Sequence, residues 1–172
     1  MKRSLRLSYL VAALGLTTVV EAASTTIVNT EHPLLTAEVS DAVASVYFIR
    51  PDAGFSGVMG KPVSIRVAGE ELLKLAKGQY TLVRLKPWEG EVVVKSWTVA
   101  MRGGTNSMMK VEESRPFAFV AGKQYYVVVA EANRPPSEGN SFPPVPIARE
   151  RALEVAAGLI PVGAAVDAPL AR

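Results

Sequence analysis

Period-two alternation and short apolar runs, not helical periodicity, organise most of this chain. Pro62 to Ala68 (PVSIRVA) is the cleanest case: Val63, Ile65 and Val67 fall on one face and Ser64 and Arg66 on the other. That alternation marks a strand with one wet face. Ala44 to Arg50 (ASVYFIR) is a second strong strand, closed by Pro51, which has no N–H to give a ladder. After a turn at Gly69-Glu70-Glu71, Leu72, Leu73 and Leu75 form a short strand. The strongest β signal is Gly78 to Val99 (GQYTLVRLKPWEGEVVVKSWTV). Two runs rich in Val, Leu, Thr and aromatics, residues that suit a pleated surface, flank Lys86-Pro87-Trp88-Glu89-Gly90. Pro and Gly supply turn dihedrals there, so the stretch predicts a β-hairpin with Trp88 at its tip. Neither face of it is wholly polar, which predicts cover on both sides, as in a sandwich overlaid by a helix or tail. Pro116–Ala121 and Gln124–Ala130, separated by Gly122-Lys123, predict a second hairpin.

The segments between are punctuated. Asp52–Gly60 holds three glycines and predicts a loop; its apolar Phe55, Val58 and Met59 either cap the core or form a contact patch. Met101–Glu113, with Gly103-Gly104, is expected to be an inter-strand loop in which Met108 and Met109 point apart. Arg134–Pro146 contains five prolines and predicts a linker or strap. Ile147–Leu159 is the one helical stretch, with Ala148, Ala152, Val155, Ala156 and Leu159 on one face and Gly158 and Pro161 ending it. The tail beyond Pro161 is expected to dock on the domain. The expected fold is therefore mainly β: a single antiparallel β-sandwich of about seven strands with one short C-terminal α-helix. The expected organisation is a signal peptide over 1–22, an extended leader over 23–42, the sandwich over 43–132, a Pro-rich linker over 133–146, and helix and tail over 147–172.

The N-terminus sets the compartment. Met1 to Arg6 carries Lys2, Arg3 and Arg6, Leu7 to Val20 is apolar, and Val20-Glu21-Ala22 has small residues at the cleavage positions. The pattern predicts a secretory signal peptide, too short in its apolar part for a spanning helix; an uncleaved anchor is the alternative and the expected route to the membrane. Those three cations belong to 19 basic residues and Glu21 to 16 acidic ones, so the chain from Ala23 holds 16 basic and 15 acidic residues. That near-balance gives no electrostatic case for nucleic acid as a partner. The chain has no cysteine. A lipid-anchored N-terminal cysteine, disulfides, thiolate metal sites and cysteine nucleophiles are thereby excluded. Localisation is expected to be periplasmic or otherwise extracytoplasmic.

Candidate chemistry is sparse. His32, the single histidine, stands in a polar leader before Pro33 and is expected to be solvated. Arg102-Gly103-Gly104-Thr105 lacks the glycine–lysine spacing and following helix of a phosphate loop. Glu70-Glu71 and Glu112-Glu113 are adjacent pairs whose side chains point apart, unlike carboxylates that face each other across a glycoside. Arg50, Arg66 and Arg84 would form an anion-binding patch if they shared a face; the expectation is solvated faces with Glu partners. No catalytic, cofactor or metal residue is assigned. Trp88 and Trp97 are the two rings suited to stacking on sugars; Trp88, at the turn tip, is the more exposed candidate, and the structural reading preferred for it is that the ring folds back onto the sandwich edge. The candidate contact residues are Trp88, Phe55 and Met59.

Val46-Tyr47-Phe48-Ile49-Arg50-Pro51, Val63 to Gly69, Leu75 to Tyr80, Gly90 to Val94 and Phe119 to Val128 together resemble domain-of-unknown-function family 2846. The resemblance implies an envelope-targeted bacterial β-sandwich similar to immunoglobulin-like or transthyretin-like domains, and no catalytic residues to carry over. The stretch through Gly69, Leu75, Gly78-Gln79-Tyr80 and Gly90 to Val94 also looks like small glycan-binding β-modules. The expectation is a non-enzymatic module that binds an envelope protein or supports an assembly. A glycan or peptidoglycan binder is the alternative and a periplasmic hydrolase a distant third.

Overall fold

The computed structural model describes residues 29–52, 61–132, 134–135 and 138–170. The expected signal peptide, and Phe55, Val58 and Met59, lie outside those residues. In chain order the elements are β1 (Ala44–Arg50), β2 (Val63–Val67), β3 (Glu70–Leu75), β4 (Gln79–Leu85), β5 (Trp88–Arg102), β6 (Thr105–Phe119), β7 (Gln124–Val129), β8 (Pro144–Pro146), α1 (Arg149–Ala156) and β9 (Ile160–Gly163). They form a five-stranded sheet, β8-β7-β1-β4-β9, and a four-stranded sheet, β3-β2-β5-β6.

The architecture is the expected mainly-β, sandwich-like one, with nine strands among the described residues in place of about seven. The two additional strands come from segments expected only as cover. The strap gives β8, and the tail gives β9. Both carry proline and both lie at sheet edges, where a missing N–H leaves no gap in a ladder. The five-stranded sheet is mixed, not antiparallel, because β1 runs parallel to β7 and β4 parallel to β9.

Gly78–Val99 is not a hairpin. β4 has β1 on one side and β9 on the other, so both its edges are taken, and β5 belongs to the opposite sheet. Lys86-Pro87 carries the chain from one sheet to the other. The expected hairpin at Gly122 is likewise a crossing, from β6 to β7. The true hairpins close through Ala68-Gly69, at φ 51° and 82°, and Gly103-Gly104, at φ 57° and 78°. Two central residues with φ > 0 give the turn whose twist matches that of paired strands. The stretch expected as a loop over 101–113 is therefore strand: β5 and β6 pair in unbroken register from Trp88↔Phe119 to Arg102↔Thr105. The turn at Glu70-Glu71 moves back to Ala68-Gly69, and β3 pairs with β2.

The main core lies between the sheets. Val46 and Phe48 of β1, Leu85 of β4 and Val127 of β7 meet Ile65 of β2, Leu73 of β3, Val94 of β5 and Phe119 of β6, all essentially removed from water. A second cluster fills the other face of the five-stranded sheet. There Tyr47, Ile49, Tyr80, Leu82, Tyr126 and Val128 pack under Ala152 and Ala156 of α1 and Ala165 of the tail. This is the cover that the mixed faces of Gly78–Leu85 require. Small alanines let the helix approach the sheet closely. The Tyr47 hydroxyl donates to the Ala168 carbonyl (3.2 Å) and the Thr81 hydroxyl to that of Val162 (2.9 Å), pinning the tail. Burial, with Tyr126 and Tyr80 beside it, pushes the Tyr47 phenol above its ordinary range.

The leader is part of the fold, and His32 is not solvated. It is 2% exposed. Its Nδ1 accepts from the Leu34 N–H (3.2 Å), so Nε2 carries the proton and donates to the Val67 carbonyl (3.0 Å). Asn29 N–H donates to Leu72 O, Lys86 N–H to Leu34 O and Thr36 N–H to Arg84 O. The leader thus clasps the ends of β2 and β3 in one sheet and β4 in the other.

Candidate functional site

Of the three candidate contact residues only Trp88 is described, and it faces inward. It begins β5, where cross-strand pairing sets it opposite Phe119. The two rings stack at 6.0 Å, and Phe119 contacts Phe117 (5.5 Å) and Tyr125 (5.1 Å). The ring also lies over Gly90, where an added Cβ would stand 2.5 Å from Trp88 Cζ2. Trp88 is half-buried against the main core, not displayed at a turn tip.

Trp97 is the displayed ring. β5 alternates strictly here: Val92, Val94, Ser96, Thr98 and Ala100 are buried, which turns Val93, Lys95, Trp97, Val99 and Met101 outward. In the ladder Trp97 stands opposite Lys110, Val99 opposite Met108 and Lys95 opposite Glu112, so these share the outer face. Trp97 is 50% exposed, Met101 56% and Met108 50%. Three large apolar side chains thus stand in water on one face of the ribbon. The inner side of the same ribbon is closed instead: Asn140 N–H donates to the Thr98 hydroxyl (2.9 Å), and Arg134 pairs with Glu113.

Beside Trp97 the outer face holds a groove of about 600 Å³. Lys61, Arg66, Lys74, Lys95 and Lys110 line it, with Glu71 the one carboxylate among its described lining residues. The cations are partly tied. Lys95 and Lys110 both reach Glu112 Oε1 (2.7 and 3.3 Å), and the Lys95 hydrogen bond above all holds that carboxyl below its usual range. Lys74 lies 3.4 Å from Glu71, which also accepts from the Ser64 hydroxyl (2.6 Å), and Arg66 donates to the Gly69 carbonyl. Cations still outnumber carboxylates. A second groove, of about 410 Å³, runs between the leader and the tail past Leu35, Thr36, Arg84 and Ala164.

The three arginines do not share a face. Arg66 belongs to the four-stranded sheet and Arg50 and Arg84 to the five-stranded one. Arg50 is buried, at 3% exposure, not solvated with a Glu partner. One of its guanidinium nitrogens donates to the carbonyls of Leu75 (2.8 Å) and Lys61 (3.0 Å), and the group lies 5.1 Å over the Phe142 ring. Burial lowers its pKa to about 10, against the opposing pull of Glu131. It joins the end of β1 to the opposite sheet. Glu112 and Glu113 point to opposite faces of β6, and each is engaged by cations. Among the described residues no three His, Asp or Glu side chains gather as a metal site.

Trp97 was accessible to sequence reasoning through its neighbours. It alternates in phase with Lys95 and Glu91 and out of phase with Val92 and Val94. The turn residues around Trp88 pointed to the wrong ring. Comparisons with protein-family models, curated proteins and solved structures find no match for this chain.

Proposed function

We propose that this chain is an exported, non-enzymatic binding module of the cell envelope, and that it engages a protein partner through the outer face of its four-stranded sheet. The observation that carries this reading is the exposure of Trp97, Met101 and Met108 together on one face of the β5–β6 ribbon. Grouped exposed apolar residues with a charged rim mark interaction surfaces. Aromatic residues, Met and Arg are the types enriched there. The N-terminal pattern supports export, and the resemblance to domain-of-unknown-function family 2846 points to the same compartment.

Glycan binding is the second reading, favoured by the juxtaposition of the Trp97 ring with the cation-lined groove. Pull-down on purified peptidoglycan separates the two. Retention that Trp97→Ala abolishes supports the glycan. No retention, with Trp97-dependent recovery of a single envelope protein whose purified form binds directly, supports the protein partner. Cleavage is tested by N-terminal sequencing of the periplasmic form, which is expected to begin near Ala23 or Ser24; an intact Met1 in the membrane fraction contradicts the soluble form and supports the uncleaved anchor.

A further inference from the structure

β6 is the outermost strand of its sheet, and among the described residues only β5 pairs with it. At 15 residues it is far longer than the other edges, β3 with six, β8 with three and β9 with four. The edges β8 and β9 are blunted by shortness and by proline, the usual protection against edge pairing. β6 instead presents a long row of backbone groups. In an antiparallel ladder alternate residues turn those groups to the partner. The two-residue turn at Gly103-Gly104 makes Arg102 and Thr105 a hydrogen-bonded pair. The odd-numbered residues of β6 therefore face β5. Asn106, Met108, Lys110, Glu112 and Ser114 offer their N–H and C=O groups to the open side, and Pro116 ends the row.

We infer that this edge binds a second copy of the same chain, antiparallel, about a two-fold axis at Val111. The charges select that axis. Centred on Val111, Lys110 of each copy stands across from Glu112 of the other, Met108 across from Ser114, and no two like charges meet. Centred one residue earlier, Lys110 faces its own counterpart; one residue later, Glu112 does. Centred on Met109, neither charge finds an opposite. Opposite-charge cross-strand pairs stabilise an antiparallel ladder and like charges oppose it. The two four-stranded sheets would join as one, with both Trp97 side chains on its outer face. The contact does not depend on the partner proposed above, since a monomer can bind a partner and a dimer can lack one.

The chain has no cysteine, so a single introduced thiol reports the axis. On mild oxidation of the mature chain, Val111→Cys is expected to form a disulfide-linked dimer. Met109→Cys, whose counterpart lies about 13 Å further along the ladder, is not. Sedimentation of the unmodified chain is expected to show a concentration-dependent dimer. Lys110→Glu and Glu112→Lys are each expected to weaken it about tenfold, and the double exchange to restore it. Thermal melts verify that each variant is folded. A monomer at every concentration, equal crosslinking of Val111→Cys and Met109→Cys, or a double exchange as weak as the single ones overturns the inference. The cysteine pair decides the matter even where a charge variant fails to fold.

Discussion

The two tryptophans are assigned opposite roles, and replacing each by alanine tests both. Trp88 is half-buried, stacked 6.0 Å from Phe119 and laid over Gly90. Truncating a fully buried aromatic residue costs about 3–5 kcal/mol, and an aromatic pair adds about 0.5–1.5 kcal/mol to its area. Half that burial, together with the broken ring stack, gives about 2–4 kcal/mol for Trp88→Ala. In a domain of this size about 1 kcal/mol moves the melting temperature by roughly 2–4 °C, so a fall of about 4–16 °C is expected. Trp97 is 50% exposed and belongs to neither apolar cluster. A surface substitution of that kind stays within about 0.5 kcal/mol, so Trp97→Ala should shift the midpoint by no more than about 2 °C. Gly90→Ala should behave as a mild Trp88 variant, because its methyl occupies the ring's place. Differential scanning calorimetry on the three variants provides the readout. A Trp88→Ala midpoint unchanged from the parent, or a large fall for Trp97→Ala, refutes the assignment of one ring to the core and the other to the surface.

Three further outcomes follow from buried or strained groups. His32→Ala removes two hydrogen bonds and leaves the Leu34 N–H without its partner, at a cost of about 1–3 kcal/mol; amide exchange at Leu34 and Lys86 should accelerate with it, and unchanged protection would show that the leader is not clasped. Ala68 is the one described non-glycine residue at positive φ, 51°, so Ala68→Asn, which tolerates that region, should raise stability by about 0.5–1 kcal/mol; a lower melting temperature would contradict the turn. Tyr47→Phe loses the bond to Ala168 and about 1 kcal/mol at neutral pH. Because burial raises the folded-state pKa of this acid above its ordinary 10, its stabilisation is complete below pH 10 and is lost as pH rises through the folded value. Melts taken across that range should therefore fall less steeply for Tyr47→Phe than for the parent, and equal slopes would contradict the assignment.

The strands were legible because alternation and β-rich runs are local, but their pairing was not. Lys86-Pro87-Trp88-Glu89-Gly90 has the residues of a tight turn, yet it crosses between sheets because β1 and β9 take both edges of β4. The same residues fit either role, and only the rest of the sheet decides. Residues 101–113 were hidden for the opposite reason. A ribbon end exposed on its outer face carries little hydrophobic alternation, and Gly103-Gly104 then suggested a loop where it marks a hairpin turn. His32 looked solvated because its neighbours in sequence are polar; its burial comes from Val67, 35 residues away. The cover on the five-stranded sheet was legible in the mixed faces of Gly78–Leu85, and the alanine face of α1 was legible in its spacing. Of the candidate site, the pairing of exposed tryptophan with cations was present in the phase of Lys95 and Trp97. The groove was not, since it is built from β2, β3, β5 and β6 together.

The proposed recognition surface is the outer face of the β5–β6 ribbon. Photo-crosslinking amino acids placed singly at Trp97, Met101 and Met108, and at the exposed Ile160 and Val166 beyond the helix, test it in living cells. The three ribbon positions are expected to yield adducts of one common mass with an envelope protein, and Ile160 and Val166 are not. The same adduct from Ile160 or Val166, or none from the ribbon, would contradict it.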